Sequence, residues 1–266
     1  MPESKITVKQ LLQMKQAGRK ISCLTSYDAS FTRLAEEAGV EVLLVGDSLG
    51  MVVQGKESTL PVTVDEMIYH TRNVSRVRQS ALIVADMPFM SYRTPAQALE
   101  SAGRLMKEGG AHMVKLEGGQ SQLESVRQLS SQGIPVCGHL GLQPQSVHKL
   151  GGYRVQGRDT AAAACIMQDA AELQTAGMDL LVLECVPSDL AAEVTRSLSI
   201  PVIGIGAGSE ADGQVLVIYD MLGMNPDHPR FVKDFLVEGR NIQQALQAYV
   251  REVRDGTFPT DKQSYL

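Results

Sequence analysis

Two hydrophobic rhythms take turns along this chain. Short apolar, β-branched runs recur at Ile21–Tyr27, Val40–Gly46, Ala81–Ala85, Met113–Leu116, Pro135–His139, Leu180–Leu183, Pro201–Ile205 and Val215–Tyr219, each bounded by Gly, Pro or Asp. Between them lie stretches whose apolar residues return every three to four positions, the spacing of one helix face. Such alternation predicts a parallel sheet with helical crossovers. Strands that are apolar throughout must be covered on both faces, and closing them into a ring leaves no edge open to foreign pairing. The expected architecture is therefore α/β, a single-domain (β/α)8 TIM barrel over residues 1–266 with an N-terminal helical extension. A doubly wound open sheet is disfavoured, because no G-x-G-x-x-G turn follows the first run.

The helical stretches carry their own punctuation. Phe31, Leu34, Ala35 and Ala38 share one face, and Gly39 then supplies the left-handed backbone that stops a helix. Thr63 with Glu66, and Thr94 with Pro95 and Gln97, place a hydroxyl cap before a third-position acceptor. Ser188 after Pro187 reads as another start. Asp159–Gly177 fits an alanine-rich helix and Phe235–Val253 a long closing one, whereas Ser209–Gly213 leaves room for barely a turn where a seventh helix is due. Two connections are long, Ser48–Thr63 and Leu142–Asp159. Both leave the C-terminal ends of strands, where barrel active sites lie, and loops of that length in a compact domain are usually lids or binding loops.

Composition narrows the function. The chain has 266 residues, 44% of them apolar, and a formal charge of −5 from 25 basic and 30 acidic residues that are interspersed rather than clustered. That pattern offers no footprint for nucleic acid or an anionic membrane. The N-terminal stretch has no apolar signal core, and no run approaches the roughly 20 residues needed to span a bilayer. A soluble, cytoplasmic protein is expected. Cys23, Cys137, Cys165 and Cys185 lie far apart without a C-x-x-C pair, which reads as reduced cysteines packed mainly in the core.

Four apolar runs end in a carboxylate, at Asp47, Asp86, Glu117 and Glu184. Any one of them alone is more readily an N-cap of the following helix. Four in corresponding positions would ring one rim of a barrel. Asp47, Asp86 and Glu117 close neighbouring strands about 4.8 Å apart, so the three can approach one cation. Hard oxygen donors without Cys or His favour Mg²⁺. Lys115 precedes Glu117 by two residues and shares its face. A lysine inside a barrel needs an anion, whether these acids or a substrate carboxylate. His139 ends the fifth run, where it is either a donor to substrate or a satisfied core histidine. Glu184, across the mouth, is the candidate general base, a carboxylate whose desolvation would raise its pKa. The glycines of Gly204–Gly208 can present amides to an anion, but tight packing explains them better.

Taken together, TSYD (25–28), VGDSLGMVVQG (45–55), STLPVT (58–63), ADMPFMSY (85–92), MVKLEGG (113–119), PVCGHLGLQPQS (135–146), GGYRVQGR (151–158), LLVLECVP (180–187) and IPVIGIGAG (200–208) resemble the ketopantoate hydroxymethyltransferase family. The resemblance implies transfer of the one-carbon unit of 5,10-methylenetetrahydrofolate to 3-methyl-2-oxobutanoate, giving 2-dehydropantoate for coenzyme A synthesis. It also implies Mg²⁺ and a homodecamer. Carried over position by position, it puts metal-associated acids at Asp47, Asp86 and Glu117, substrate contacts at Ser48, Asp86 and Lys115, and the catalytic base at Glu184. Asp47 and His139 join the substrate contacts as neighbours of the same mouth. Ser26 and Gln143 depart from the family's commonest residues without touching a proposed catalytic role, and past Asp220 the resemblance thins.

Two other readings compete. A Mg²⁺-dependent carbon–carbon lyase or phosphonomutase-type barrel would also chelate a 2-oxo acid, but its lyase form would use a reactive cysteine on a flexible loop. A barrel kept only as an assembly scaffold leaves four rim acids and an inward lysine without a purpose.

Overall fold

The computed structural model describes residues 5–225, 227–237 and 241–265. Eight parallel strands close into a barrel in sequence order. They are β1 Ile21–Thr25, β2 Val42–Val45, β3 Leu82–Asp86, β4 Met113–Glu117, β5 Val136–Gly141, β6 Leu180–Glu184, β7 Val202–Ile205 and β8 Gly213–Leu216. Nearly every strand residue is buried, which is why these runs are apolar on both faces. The (β/α)8 expectation holds, with a helix over Val8–Gln16 ahead of β1.

Helix boundaries follow the capping chemistry. Thr63 and Glu66 form a reciprocal capping box at Val64–Ser75, and Thr94 caps Pro95–Arg104. Asp159 opens Thr160–Ala176, which Gly177 closes at φ 108°. Ser188 is the first residue of Ser188–Ser197, with no side-chain cap bond.

Two boundaries differ from expectation, at β8 and at the closing helix, while the short return between β7 and β8 is as the sequence suggested. β8 ends at Leu216, and the helical turn Ile218–Met221 begins inside the run read as strand to Tyr219. A short apolar run cannot by itself distinguish a buried strand from a buried turn of helix. Between β7 and β8 the chain returns through residues 206–212 without a helix. Lys20 Nζ braces that return by donating to Ser209 O and Ala211 O, and Asp212 Oδ2 accepts from Lys15 Nζ and Val202 N. The closing helix starts only at Ile242, capped by Asn241, and residues 238–240 of the expected Phe235–Val253 helix lie outside the described residues. Phe235 packs edge-on against Tyr249 and Phe258 instead of continuing the helix.

His112, just before β4, accepts a 3.0 Å hydrogen bond from Ile83 N on its Nδ1, so the ring carries its proton on Nε2. Burial, then Arg78 and Lys5, push this histidine down to about 4. The unfolded chain therefore binds more protons than the folded one between about pH 6.5 and 4, and stability falls as pH drops through that window. We expect a loss of about 1 kcal/mol after discounting for the ring's partial exposure. Denaturant titrations at pH 7 and pH 4.5 should show that loss in the native chain and a smaller one in His112→Gln.

Candidate active site

The C-terminal rim of the barrel collects the chemistry, and strand register decides who meets whom. Asp86 on β3 stands level with Lys115 on β4, Glu117 on β4 level with His139 on β5, and Gly141 on β5 level with Glu184 on β6. Side chains level on adjacent parallel strands face the same side, and Cys137, level with Lys115, fills the barrel interior one layer below His139. Asp47 lies two residues past the end of β2 and enters from the loop, its amide donating to Asp86 Oδ2 at 3.0 Å.

Five ionisable groups are packed in this space with almost no access to water. Asp47 is 4%, Asp86 3%, Lys115 4%, Glu117 5% and His139 3% exposed. Lys115 Nζ pairs with Asp86 Oδ1 at 2.6 Å. Burial works against its ammonium, but Asp86, Glu117 and Asp47 outweigh that and hold the lysine protonated, well above its ordinary value. Asp47 is displaced the other way: burial, then the charges of Asp86 and Glu117, push its carboxyl far up, against the opposing pull of Lys115 and Gln145. One lysine cannot neutralise three acids.

His139 sits between two carboxylates, Nδ1 3.4 Å from Glu117 Oε1 and Nε2 3.1 Å from Glu184 Oε2. Neither contact is aligned as a hydrogen bond, so the ring is held by charge and by space. Burial and the Lys115 ammonium depress it, yet the two flanking carboxylates prevail and push the imidazole up to about 9. Glu184 has one side towards His139 and one towards the mouth, 13% of its side chain exposed. The expected desolvation of this acid is thus only partial, and it faces a charged partner rather than an apolar pocket. Ser48, half-buried, shares a 2.9 Å hydrogen bond with Tyr27 OH. A Cβ at Gly46 would lie 2.8 Å from Ser48 Oγ and 3.6 Å from Asp86 Oδ2, so only glycine leaves the space between them clear.

Several side chains here were not anticipated from sequence. Gln145, from the long loop after β5, bonds Asp47 and Glu117; Tyr92 bonds Gln145; and Tyr153, on the same loop, feels the charges of Glu184, Asp47 and Glu117. The length of the 142–159 loop was the signal pointing to Gln145 and Tyr153; Tyr92 lies on the connection after β3. Conversely, Gly206 and Gly208 are explained by packing, since a Cβ on either would collide with Phe231 or Ser188. A cavity of about 450 Å³ lined by Gln120, Leu123, Arg127, Glu172 and Thr175 lies in the outer helical layer and gathers no comparable set of acids.

The donor set suits a hard divalent cation: carboxylates only, buried, and mutually repelling. Among the described residues no three His, Cys, Asp or Glu side chains converge as a ligand set. The register explains this, because Glu117 stands two residues above the level of Asp86 and Lys115. The fit is to an ion such as Mg²⁺, which takes one or two carboxylates directly and completes its shell with water or substrate oxygens.

Comparison with known proteins adds an independent line. Residues 5–261 match the family model described as ketopantoate hydroxymethyltransferase. A protein of Nitrosococcus oceani named 3-methyl-2-oxobutanoate hydroxymethyltransferase is 59% identical over 98% of this chain and 99% of its own length. One of the same name from Methylococcus capsulatus is 56% identical over 98% and 97%. Among solved structures, a phosphoenolpyruvate phosphomutase from Streptomyces platensis superposes with a TM-score of 0.62 at 14% identity, covering 94% of this chain and 88% of that one. A phosphonopyruvate hydrolase in complex with oxalate and Mg²⁺ gives 0.61 at 12% identity, covering 97% and 93%. At such identities the structural likeness concerns the fold alone.

Proposed function

The chain belongs to the ketopantoate hydroxymethyltransferase family and is a hydroxymethyltransferase, and from that premise we propose that it makes 2-dehydropantoate from 3-methyl-2-oxobutanoate and 5,10-methylenetetrahydrofolate with the aid of Mg²⁺. The observation that carries the reading is the buried Asp47–Asp86–Lys115–Glu117 group beside the His139–Glu184 pair. Asp47, Asp86 and Glu117 are the acids that would hold the cation. A Mg²⁺ ion held by these acids would supply Lewis-acid charge, which makes the C3 proton of a 2-oxo acid more acidic.

The chain's own groups account for the remaining work. Lys115, kept protonated by its acidic neighbours, offers a cation to the substrate carboxylate, and Ser48, held by Tyr27, offers a hydroxyl beside it. Glu184 takes the proton from C3, its carboxylate oriented by His139 Nε2 at 3.1 Å. The C3 carbon then bonds to the one-carbon unit as that unit leaves the carrier nitrogen, and the overall balance consumes one water. The 48–63 and 142–159 loops shield the electrophile from solvent.

The lyase or phosphonomutase alternative rests on fold likeness alone. Cys23, Cys137 and Cys185 are buried and Cys165 is exposed on the outer helix Thr160–Ala176, so none is a mobile nucleophile at the mouth. The family assignment likewise sets the scaffold reading aside. Among the described residues no helix is long and apolar enough to cross a membrane. A cytoplasmic homodecamer is part of the proposal by resemblance, supported by exposed apolar side chains such as Tyr69, Phe89, Met90 and Ile242.

Incubating the protein with both substrates and Mg²⁺ should yield 2-dehydropantoate, and excess chelator should suppress it. In D₂O without folate, Mg²⁺-dependent loss of the C3 proton should still be visible by NMR. Product formation unaffected by chelator, or no C3 exchange, would overturn the reading.

A further inference from the structure

The loop that follows β5 is tied at both ends to the strand end that carries Glu184. Leu142 N donates to Glu184 O at 2.8 Å and Gln156 N donates to Cys185 O at 2.9 Å. Between these ties the loop turns inward and delivers Gln145, a 5% exposed amide in the middle of the acids.

Every polar atom of that side chain is engaged. Nε2 donates to Asp47 Oδ2 at 2.8 Å and to Met87 O at 3.0 Å, while Oε1 accepts from Tyr92 OH at 2.5 Å. The backbone amide of Gln145 donates to Glu117 Oε2 at 3.0 Å, and Tyr92 OH in turn accepts from Glu117 N at 3.3 Å. The amide has one permitted orientation. Flipped, its carbonyl oxygen would face the Asp47 carboxyl oxygen and the Met87 carbonyl, and the Tyr92 hydroxyl would lose the acceptor for its proton.

We propose that Gln145 is a positioning residue of this site: it occupies one oxygen of Asp47 by its side chain and one of Glu117 by its backbone, and so leaves Asp47 Oδ1 as the oxygen presented to cation and keto acid while Glu117 Oε1 stays turned to His139. Tyr92 acts through it by locking the amide. The inference rests on the functional reading above and adds a residue that comes from a loop rather than from a barrel strand. It also gives the two backbone ties a purpose, because a loop that shifted with respect to Glu184 would carry Gln145 off the acids.

Gln145→Met keeps the volume and the backbone donor but removes both side-chain donors and the acceptor. Calorimetric titration with Mg²⁺ alone, and with 3-methyl-2-oxobutanoate present, should show binding weakened about tenfold or more, the usual effect of losing a group that orients a ligand. Tyr92→Phe should weaken it about threefold, and the double variant should match Gln145→Met within about twofold, since both act through one amide. In C3 exchange the half-saturating Mg²⁺ concentration should rise while the saturated rate stays within about threefold. A purely space-filling role would instead lower the melting temperature in chelator and leave Mg²⁺ affinity alone. Wild-type affinity in folded Gln145→Met overturns the proposal; if that variant does not fold, wild-type affinity in Tyr92→Phe overturns it. A native chain that neither binds Mg²⁺ nor exchanges the C3 proton sinks the functional reading and this one with it, whereas an active native chain matched by Gln145→Met sinks this one alone.

Discussion

Glu184→Gln should cut C3 proton exchange by about 10³-fold, with little change in the concentration of keto acid needed for half-saturation. A positioned general base contributes about 10²- to 10⁴-fold, so the middle of that range corresponds to about 4 kcal/mol of transition-state stabilisation. The substitution preserves shape at a site where the side chain is only 13% exposed, so binding should survive while proton abstraction does not. A second readout separates chemistry from packing. His139 is pushed to about 9 against its burial by Glu117 and by Glu184. Removing the charge at 184 should therefore bring the imidazole back towards its ordinary value, observable as an NMR titration. Because the folded-state value is raised, the stability it contributes is complete below about pH 6.5 and is lost as pH rises through about 9. That alkaline loss should shrink in Glu184→Gln. Exchange within about threefold of the native rate would remove Glu184 from the role of base.

Much of this arrangement was legible in the chain, and what was not has identifiable causes. The strands were visible because apolar runs closed by Gly, Pro or Asp alternate with caps such as Thr63 and Asp159, and both kinds of signal are local. The β8 boundary was missed because Val215–Tyr219 is equally apolar as strand or as helical turn. The rim acids were visible as run-ending carboxylates, but their heights were not. Whether Asp86 meets Glu117 or Lys115 depends on the stagger between strands, a property of barrel closure rather than of either segment. Gln145 was hidden for a related reason: its partners Asp47, Met87, Tyr92 and Glu117 lie on other connections and strands, and only the folded path of the loop joins them.

Lys115→Met should be the most damaging single change to the resting protein as well as to catalysis. Its ammonium is, among the described residues, the one buried lysine set against Asp47, Asp86 and Glu117, and deleting one partner of a buried ion pair typically costs about 3–5 kcal/mol because the other charge is left uncompensated. For a chain of this size that is a fall in melting temperature on the order of 6–15 °C. The penalty should depend on pH with a definite sign. Asp47 already has a raised folded-state value, from burial and its acidic neighbours, and Lys115 is what restrains the rise. Without the lysine the folded state binds more protons than the unfolded one over a wider window above the ordinary carboxylate range, so stability is retained at low pH and lost as pH rises. Denaturant titrations of native and variant chains should therefore converge near pH 5 and diverge at pH 8. Added Mg²⁺ should recover part of the loss, since a cation bound at the acids stabilises the folded state by mass action. The same variant should bind 3-methyl-2-oxobutanoate about 10- to 100-fold more weakly, the equivalent of one charge-assisted hydrogen bond to the substrate carboxylate. Unchanged keto-acid affinity would confine Lys115 to neutralising its neighbours, and a pH-independent loss of stability would deny it even that.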